Sequence, residues 1–104
     1  MLFHLDFKVE YAADQSQNDL FAVWAEEADA ALGAKKAGVV VDLWKVVGQR
    51  RVMAIVDVES MDMLDQISLD LPIMKKLGQH VDITVTALRT YESFAADVKE
   101  RLET

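Results

Sequence analysis

The chain lacks cysteine altogether and holds only two histidines, one proline and four glycines in 104 residues. Without cysteine, disulfides, thiolate metal sites and thiol nucleophiles are excluded. With so little glycine and proline, loops should be short and elements well packed. No apolar stretch approaches the roughly 18 residues a membrane span needs. Met1-Leu2-Phe3-His4-Leu5-Asp6 carries no basic stretch ahead of an apolar run, which argues against a signal peptide and for a soluble, cytoplasmic protein. There is no G-x-G-x-x-G or P-loop for a dinucleotide or ATP, and no G-x-S-x-G elbow for a hydrolase triad. Positive charge is also scarce. Eleven Lys and Arg stand against eighteen Asp and Glu, a net charge of −7, which argues against nucleic acid and anionic membranes as partners.

What is present is one globular domain, residues 1–104. The hydrophobic fraction is 52% and the charged fraction 28%, and a chain this long buries about two-thirds of its unfolded surface. That is slightly apolar for its size and hints at burial outside the single chain.

The period of the apolar pattern changes along the chain. Phe3, Leu5, Phe7 and Val9 alternate with polar residues, as in a strand. Asp14 and Ser16 are candidate caps for an Ala-rich helix from Asp19 to about Lys36, closed by Gly38. Val39 to Val47 and Val52 to Val58 read as a hairpin around the turn Gly48-Gln49-Arg50-Arg51. Ser60 caps a second helix running to about Leu71, Pro72 stops it, and residues 73–79 form one more turn. Val81 to Leu88 alternates again. Thr90 caps a last amphipathic helix with Phe94, Val98 and Leu102 on one face. The order β-α-β-β-α-β plus a C-terminal helix is the ferredoxin-like α+β arrangement, with a core over 1–90 and the extra helix over 91–104. Two helices cover only one face of a four-stranded sheet. Runs such as Val39-Val40-Val41 and Ala54-Ile55-Val56 look apolar on both faces, so the second face is expected to bury against a partner copy, giving a dimeric α/β barrel.

The first helix carries a carboxylate out of place. Leu20, Val23, Trp24 and Ala31 share one face at 100° per residue, and Glu27 falls inside that stripe. Glu26 and Asp29 point away. Either Glu27 snorkels out from a helix edge and pairs with a lysine, or it lines a pocket, its pKa raised by desolvation, as an acid/base. His4, beside Asp6, reads as a hydrogen-bonded structural residue ahead of a catalyst, and His80, beside Asp82, as a solvated loop histidine. Two histidines so far apart make a poor metal site. Arg50-Arg51 could grip an anion bidentately or be solvated turn residues. Lys75-Lys76 read as surface charges.

Met1-Leu2-Phe3-His4-Leu5, Leu43-Trp44-Lys45, Gly48, Asp57-Val58 and Leu71-Pro72, in their joint register, resemble the muconolactone isomerase family, which includes chloromuconolactone dehalogenases. The likeness covers roughly residues 1 to 90. It implies a ferredoxin-like protomer, a homodimer and often a larger ring of dimers. It further implies no cofactor or metal, and an isomerase moving a proton and a double bond in an unsaturated lactone during aromatic breakdown. The family's catalytic carboxylate, in an Ala-x-Glu context, matches Ala25-Glu26-Glu27, so Glu27 is the expected catalytic residue. His4, Trp24, Trp44 and Arg50 are the expected substrate-binding set. Departures are concentrated at polar positions: Ala28 stands where the family has Lys, Val40-Val41 where it has Trp-Arg, Arg50 and Val52 where it has Tyr and Asn. Ile73-Met74-Lys75-Lys76 replaces Phe-Pro-Tyr, and the last helix differs from the family's tail. These changes point to a bulkier or less acidic cyclic substrate than muconolactone. A cofactor-free monooxygenase of the same barrel class and a non-catalytic binding protein are the competing readings.

Overall fold

The computed structural model describes residues 1–103. Strand β1 (Leu2–Val9) leads through helix α1 (Gln17–Lys36) to β2 (Val40–Lys45) and β3 (Arg51–Asp57). Helices α2 (Met61–Asp70) and α3 (Pro72–Leu77) and a 3-10 turn (Gly78–His80) precede β4 (Val81–Leu88) and α4 (Tyr91–Glu103). The sheet is antiparallel in the order β2-β3-β1-β4. The fold is therefore ferredoxin-like α+β, with a helix appended. No helix among the described residues is long and apolar enough to cross a membrane.

Local chemistry explains most element ends. Ser16 caps α1 in a reciprocal box with Asp19, which satisfies two backbone donors. Asp14, the other candidate cap, instead occupies the left-handed region at φ 60°, which Asp tolerates in turns. Ser60 caps α2 through the Met63 N–H, and Thr90 accepts from the Ser93 N–H at the start of α4. Pro72 does more than stop α2. It occupies the first turn of α3, where its missing N–H costs nothing and its fixed φ suits a helix.

Cross-strand pairs put Phe3, Leu5, Phe7 and Val9 on the helix side of the sheet with Val52, Ala54 and Val56. Phe3, Leu5, Ala54, Val56, Val58 and Leu64 form one core cluster, and Val9, Leu20, Ile73, Leu77 and Val81 another, with Phe7 packed against both. Leu20 is fully buried, a burial worth about 2–3 kcal/mol.

The expectation of an apolar second face needs correcting. The outer face is mixed. It holds Leu2, Met53 and Ile55, but also His4, Thr84, Thr86 and a buried Asp6 gripped through both oxygens by Arg51. Two features of the sequence disguised this. The register of β2 against β3 shifts between Val40 and Asp42, so Val41 is a bulge residue, 53% exposed, and the valine run does not report a face. Polar Asp6 also reads as ordinary alternation until Arg51 is seen lying across it.

Candidate active site

Helix α1 packs chiefly on α3 and on the edge strand β2. Its inner residues are small: Ala28, Ala30, Ala31 and Ala34. Short side chains on a helix held off the sheet leave the space beneath it unfilled, which a close-packed core would not. The result is a cavity of about 270 Å³ between α1, α2 and the helix side of the sheet. Its floor is Leu5, Leu43, Ala54 and Val56, and its walls include Trp24, Leu64, Ile67 and Ile73.

Glu27 enters this apolar space from α1. Its Oε2 accepts a hydrogen bond of 3.2 Å from the Ile73 N–H. That N–H lies in the first turn of α3, where no intrahelical acceptor exists. Among the described residues, Oε1 makes no hydrogen bond. Burial pushes the Glu27 carboxyl above its ordinary value, with the Ile73 N–H opposing. Desolvation is the larger effect because one neutral donor replaces only part of a carboxylate's water shell. The neighbouring Glu26 takes the other role open to a helix carboxylate and pairs with Lys76 at the surface. Both glutamates thus tie α1 to α3, one through backbone and one through charge.

The expected substrate-binding residues do not all assemble here. Trp24 lines the cavity beside Glu27. Trp44 borders it from the edge strand, but pairs with Met53, and alternation turns its indole toward the outer face. His4 lies on the outer face, paired with Ile55 and Thr86. Arg50 is held at the β2–β3 hairpin turn by its own contacts. Its Nε donates to the Val9 carbonyl at 3.0 Å, its Nη2 reaches Glu10, and its guanidinium lies over the Tyr11 ring. Within one chain, His4 and Arg50 do not line this cavity. The polar side chains that do reach the lining besides Glu27 are Lys45 and Ser68. Ser68 gives its hydroxyl proton to the Leu64 carbonyl. Lys45 donates to the Val46 carbonyl at 2.9 Å and keeps further N–H donors. In the sequence Lys45 stood out only within the Leu43-Trp44-Lys45 stretch. Ile73 could have been flagged as the first N–H after a proline at a helix start. No group of three or more His, Asp or Glu is placed to hold a metal ion among the described residues.

The site is thus a half-buried carboxylate lining an apolar cavity. The family described as muconolactone delta-isomerase matches residues 1–94. The chain belongs to that family. Membership supports an isomerase-type enzyme acting without a cofactor. No curated protein sequence matches the chain significantly. Among solved structures, a muconolactone isomerase crystal structure is similar, with a TM-score of 0.73 and 26% identity, covering 88% of this chain and 91% of that one. A 5-chloro-2-hydroxyhydroquinone dehydrochlorinase from Burkholderia phenoliruptrix AC1100, in complex with 2,5-dihydroxybenzoquinone, has a TM-score of 0.63 at 14% identity. It covers 89% of this chain and 98% of that one. A protein described as an antibiotic biosynthesis monooxygenase, from Deinococcus radiodurans, has a TM-score of 0.52 at 10% identity, covering 86% and 94%. These last two likenesses are of fold alone. The chain thus shares the sheet-and-helix frame of muconolactone isomerase.

Proposed function

We propose that the protein is a cofactor-independent isomerase that shifts a proton and a double bond within an unsaturated lactone or cyclic enone, with Glu27 as acid and base, in the breakdown of aromatic or related cyclic compounds. What supports this reading is the half-buried Glu27 carboxylate, which lines an apolar cavity and accepts the Ile73 N–H on one oxygen. A C–H bond conjugated to a carbonyl is weakly acidic. Glu27 Oε1 takes that proton, the C–H electron pair moves into the ring as a dienolate, and the same oxygen returns the proton to a different ring carbon. Atoms and electrons balance with no other reactant. A raised carboxyl pKa narrows the gap to the carbon acid and speeds both transfers. Lys45, the cationic residue on the lining, is the group we assign to the developing enolate oxygen. Trp24 and the aliphatic lining hold the ring by contact, which favours a substrate richer in apolar surface than muconolactone. Where the substrate carries halide next to the abstracted proton, the same first step ends in elimination, the reaction class that the dehydrochlorinase's name describes for that protein.

The decisive experiment offers candidate butenolides and cyclic enones in deuterated water and follows ring-proton exchange by NMR. Glu27→Gln should lower exchange and turnover by roughly 10²–10⁴-fold, the usual contribution of a general base, while the far-UV spectrum is unchanged. Full exchange in that variant would refute the assignment. Oxygen consumption by the unmodified protein with phenolic substrates would favour the monooxygenase reading, and ligand binding without exchange the binding-protein reading. We also propose that the protein works as a homodimer joined through the outer sheet face.

A further inference from the structure

The cavity beneath α1 has two chemically different ends. Strand register places its floor. Lys45 pairs with Val52, and Val52 with Phe7, across one end of the sheet. Val40 pairs with Val56, and Val56 with Phe3, across the other. Along β3 these rows stand about 13 Å apart at the rise of a strand. Helix α1 leaves β1 beyond Val9 and returns across the sheet to enter β2 at Val40. Trp24 and Glu27 therefore lie toward the Phe7 row, and Ala31 and Ala34 toward the Val56 row. The Ala34 carbonyl accepts from the Val39 N–H at 3.0 Å, next to Val40. The second wall agrees. Leu64 packs in one core cluster with Val56 and Val58, while Ile73 and Trp24 belong to the cluster around Val9. From Glu27 to Ala34 the helix rises about 10 Å.

The charged lining residues, Glu27 and Lys45, stand toward one end. The other end is walled by Ala31, Ala34, Val40, Val56, Val58 and Leu64, none of them polar. Ser68, one turn beyond Leu64 on α2, has already given its proton to the Leu64 carbonyl. Lys35, near the end of α1, pairs with Asp42 at the surface. Alanine at 31 and 34 leaves space that a larger aliphatic residue would fill. A void walled by aliphatic side chains is a poor site for water and a good one for an apolar ligand.

We infer that the substrate is a neutral ring bearing an apolar tail, the ring's reactive C–H and carbonyl at Glu27 and Lys45 and an alkyl or aryl substituent running about 10 Å under Ala31 and Ala34 to Val40 and Val56. The ring half of this assignment rests on the proton shift proposed above. The tail half rests on the cavity alone. A carboxylate on the tail would lose its water shell beside no cationic lining residue, and the net charge of −7 disfavours the approach of anions. Ala31 and Ala34 set the tail length, because each carbon added to them is taken from the ligand's space.

Isothermal titration of the intact protein with butenolides carrying methyl, butyl, hexyl and octyl tails tests the assignment. Affinity should rise roughly two- to fourfold per methylene, as burial of a CH₂ group gives, and level off once the tail spans the cavity. A tail of equal length ending in a carboxylate should bind about tenfold more weakly or worse. Ala34→Leu should move the levelling-off to a shorter tail, and Ala31→Leu provides the same reading if the first variant does not fold. Affinity independent of tail length would overturn the inference, as would carboxylate-ended tails that bind as tightly as alkyl ones. Ring-proton exchange in deuterated water, followed on the same ligands, separates this inference from the catalytic one. Length-dependent binding without exchange would refute the role of Glu27 and sustain the tail site. Exchange with affinity indifferent to length would refute the tail site and sustain Glu27.

Discussion

Glu27 shows how one residue's surroundings fix its chemistry. It and Glu26 are neighbours on one helix, yet one faces water and a lysine while the other faces an apolar cavity. Burial raises the Glu27 pKa, so its protonated form favours the fold. That contribution is present in full below the ordinary carboxyl range and is lost as pH rises through the raised folded value. At neutral pH the ionised carboxylate therefore costs stability, and Glu27→Gln should melt at or above the temperature of the unaltered protein. Below the ordinary carboxyl range the advantage should vanish. Thermal melts at the two pH values check the sign, and a neutral-pH melt well below that of the unaltered protein would show the carboxylate to be structural. Asp6 has the opposite sign, because its hydrogen bonds from Arg51 hold its carboxyl below the usual range. Its contribution is present above the ordinary range and is lost as pH falls through the lowered folded value. Lys45 belongs to the same scale. Lys45→Met should lower kcat by about tenfold or more if the ammonium meets enolate charge, with circular dichroism unchanged. A change confined to KM would instead mark it as a binding group.

Elements explain what the sequence could and could not reveal. Alternation exposed β1 and β4, helical periodicity α1 and α4, apolar runs around a turn the β2–β3 hairpin, and the Ser60 cap with the Pro72 stop exposed α2. Glu27 was legible from that helical periodicity, since a charge inside an apolar stripe is visible without coordinates. The places of His4 and Arg50 were not legible because their surroundings depend on strand pairing. Nothing local says which sheet face His4 takes, or that the Val9 carbonyl and Glu10 lie within reach of Arg50. Helix α3 was foreshadowed only as one further turn after Pro72, six residues being too few for a periodic signal. Its importance lies in the Ile73 N–H that it offers to Glu27. The capping box of α1 acts on the helix and not on the cavity. Ser16→Ala should therefore cost about 1 kcal/mol, read as a lowered denaturation midpoint, with kcat retained. Loss of activity without loss of stability would show that the start of α1 reaches the site.

For the whole molecule the question is what covers the outer sheet face. An antiparallel sheet with one wet face alternates apolar-in and polar-out. Here β4 obeys that rule with Asp82, Thr84 and Thr86, while β3 breaks it with Met53 and Ile55. Trp44, next to Met53 on the edge strand, is 53% exposed. The apolar part of the face is thus concentrated on β2 and β3. The Asp6–Arg51 pair lies beside it, satisfied within the protomer and so able to enter an interface without leaving a charge unpaired. A partner sheet seated on β2 and β3 would bury Trp44, Met53 and Ile55 together, and aromatic and methionine side chains are the residues enriched in such cores. Ile55 pairs with both His4 and Asp42 across neighbouring strands, which places it well inside the sheet. Ile55→Asp should raise the dimer dissociation constant about tenfold or more, because it buries an unpaired carboxylate in the interface. Sedimentation across a concentration series measures this. An unchanged constant would exclude the outer face as the seat of assembly.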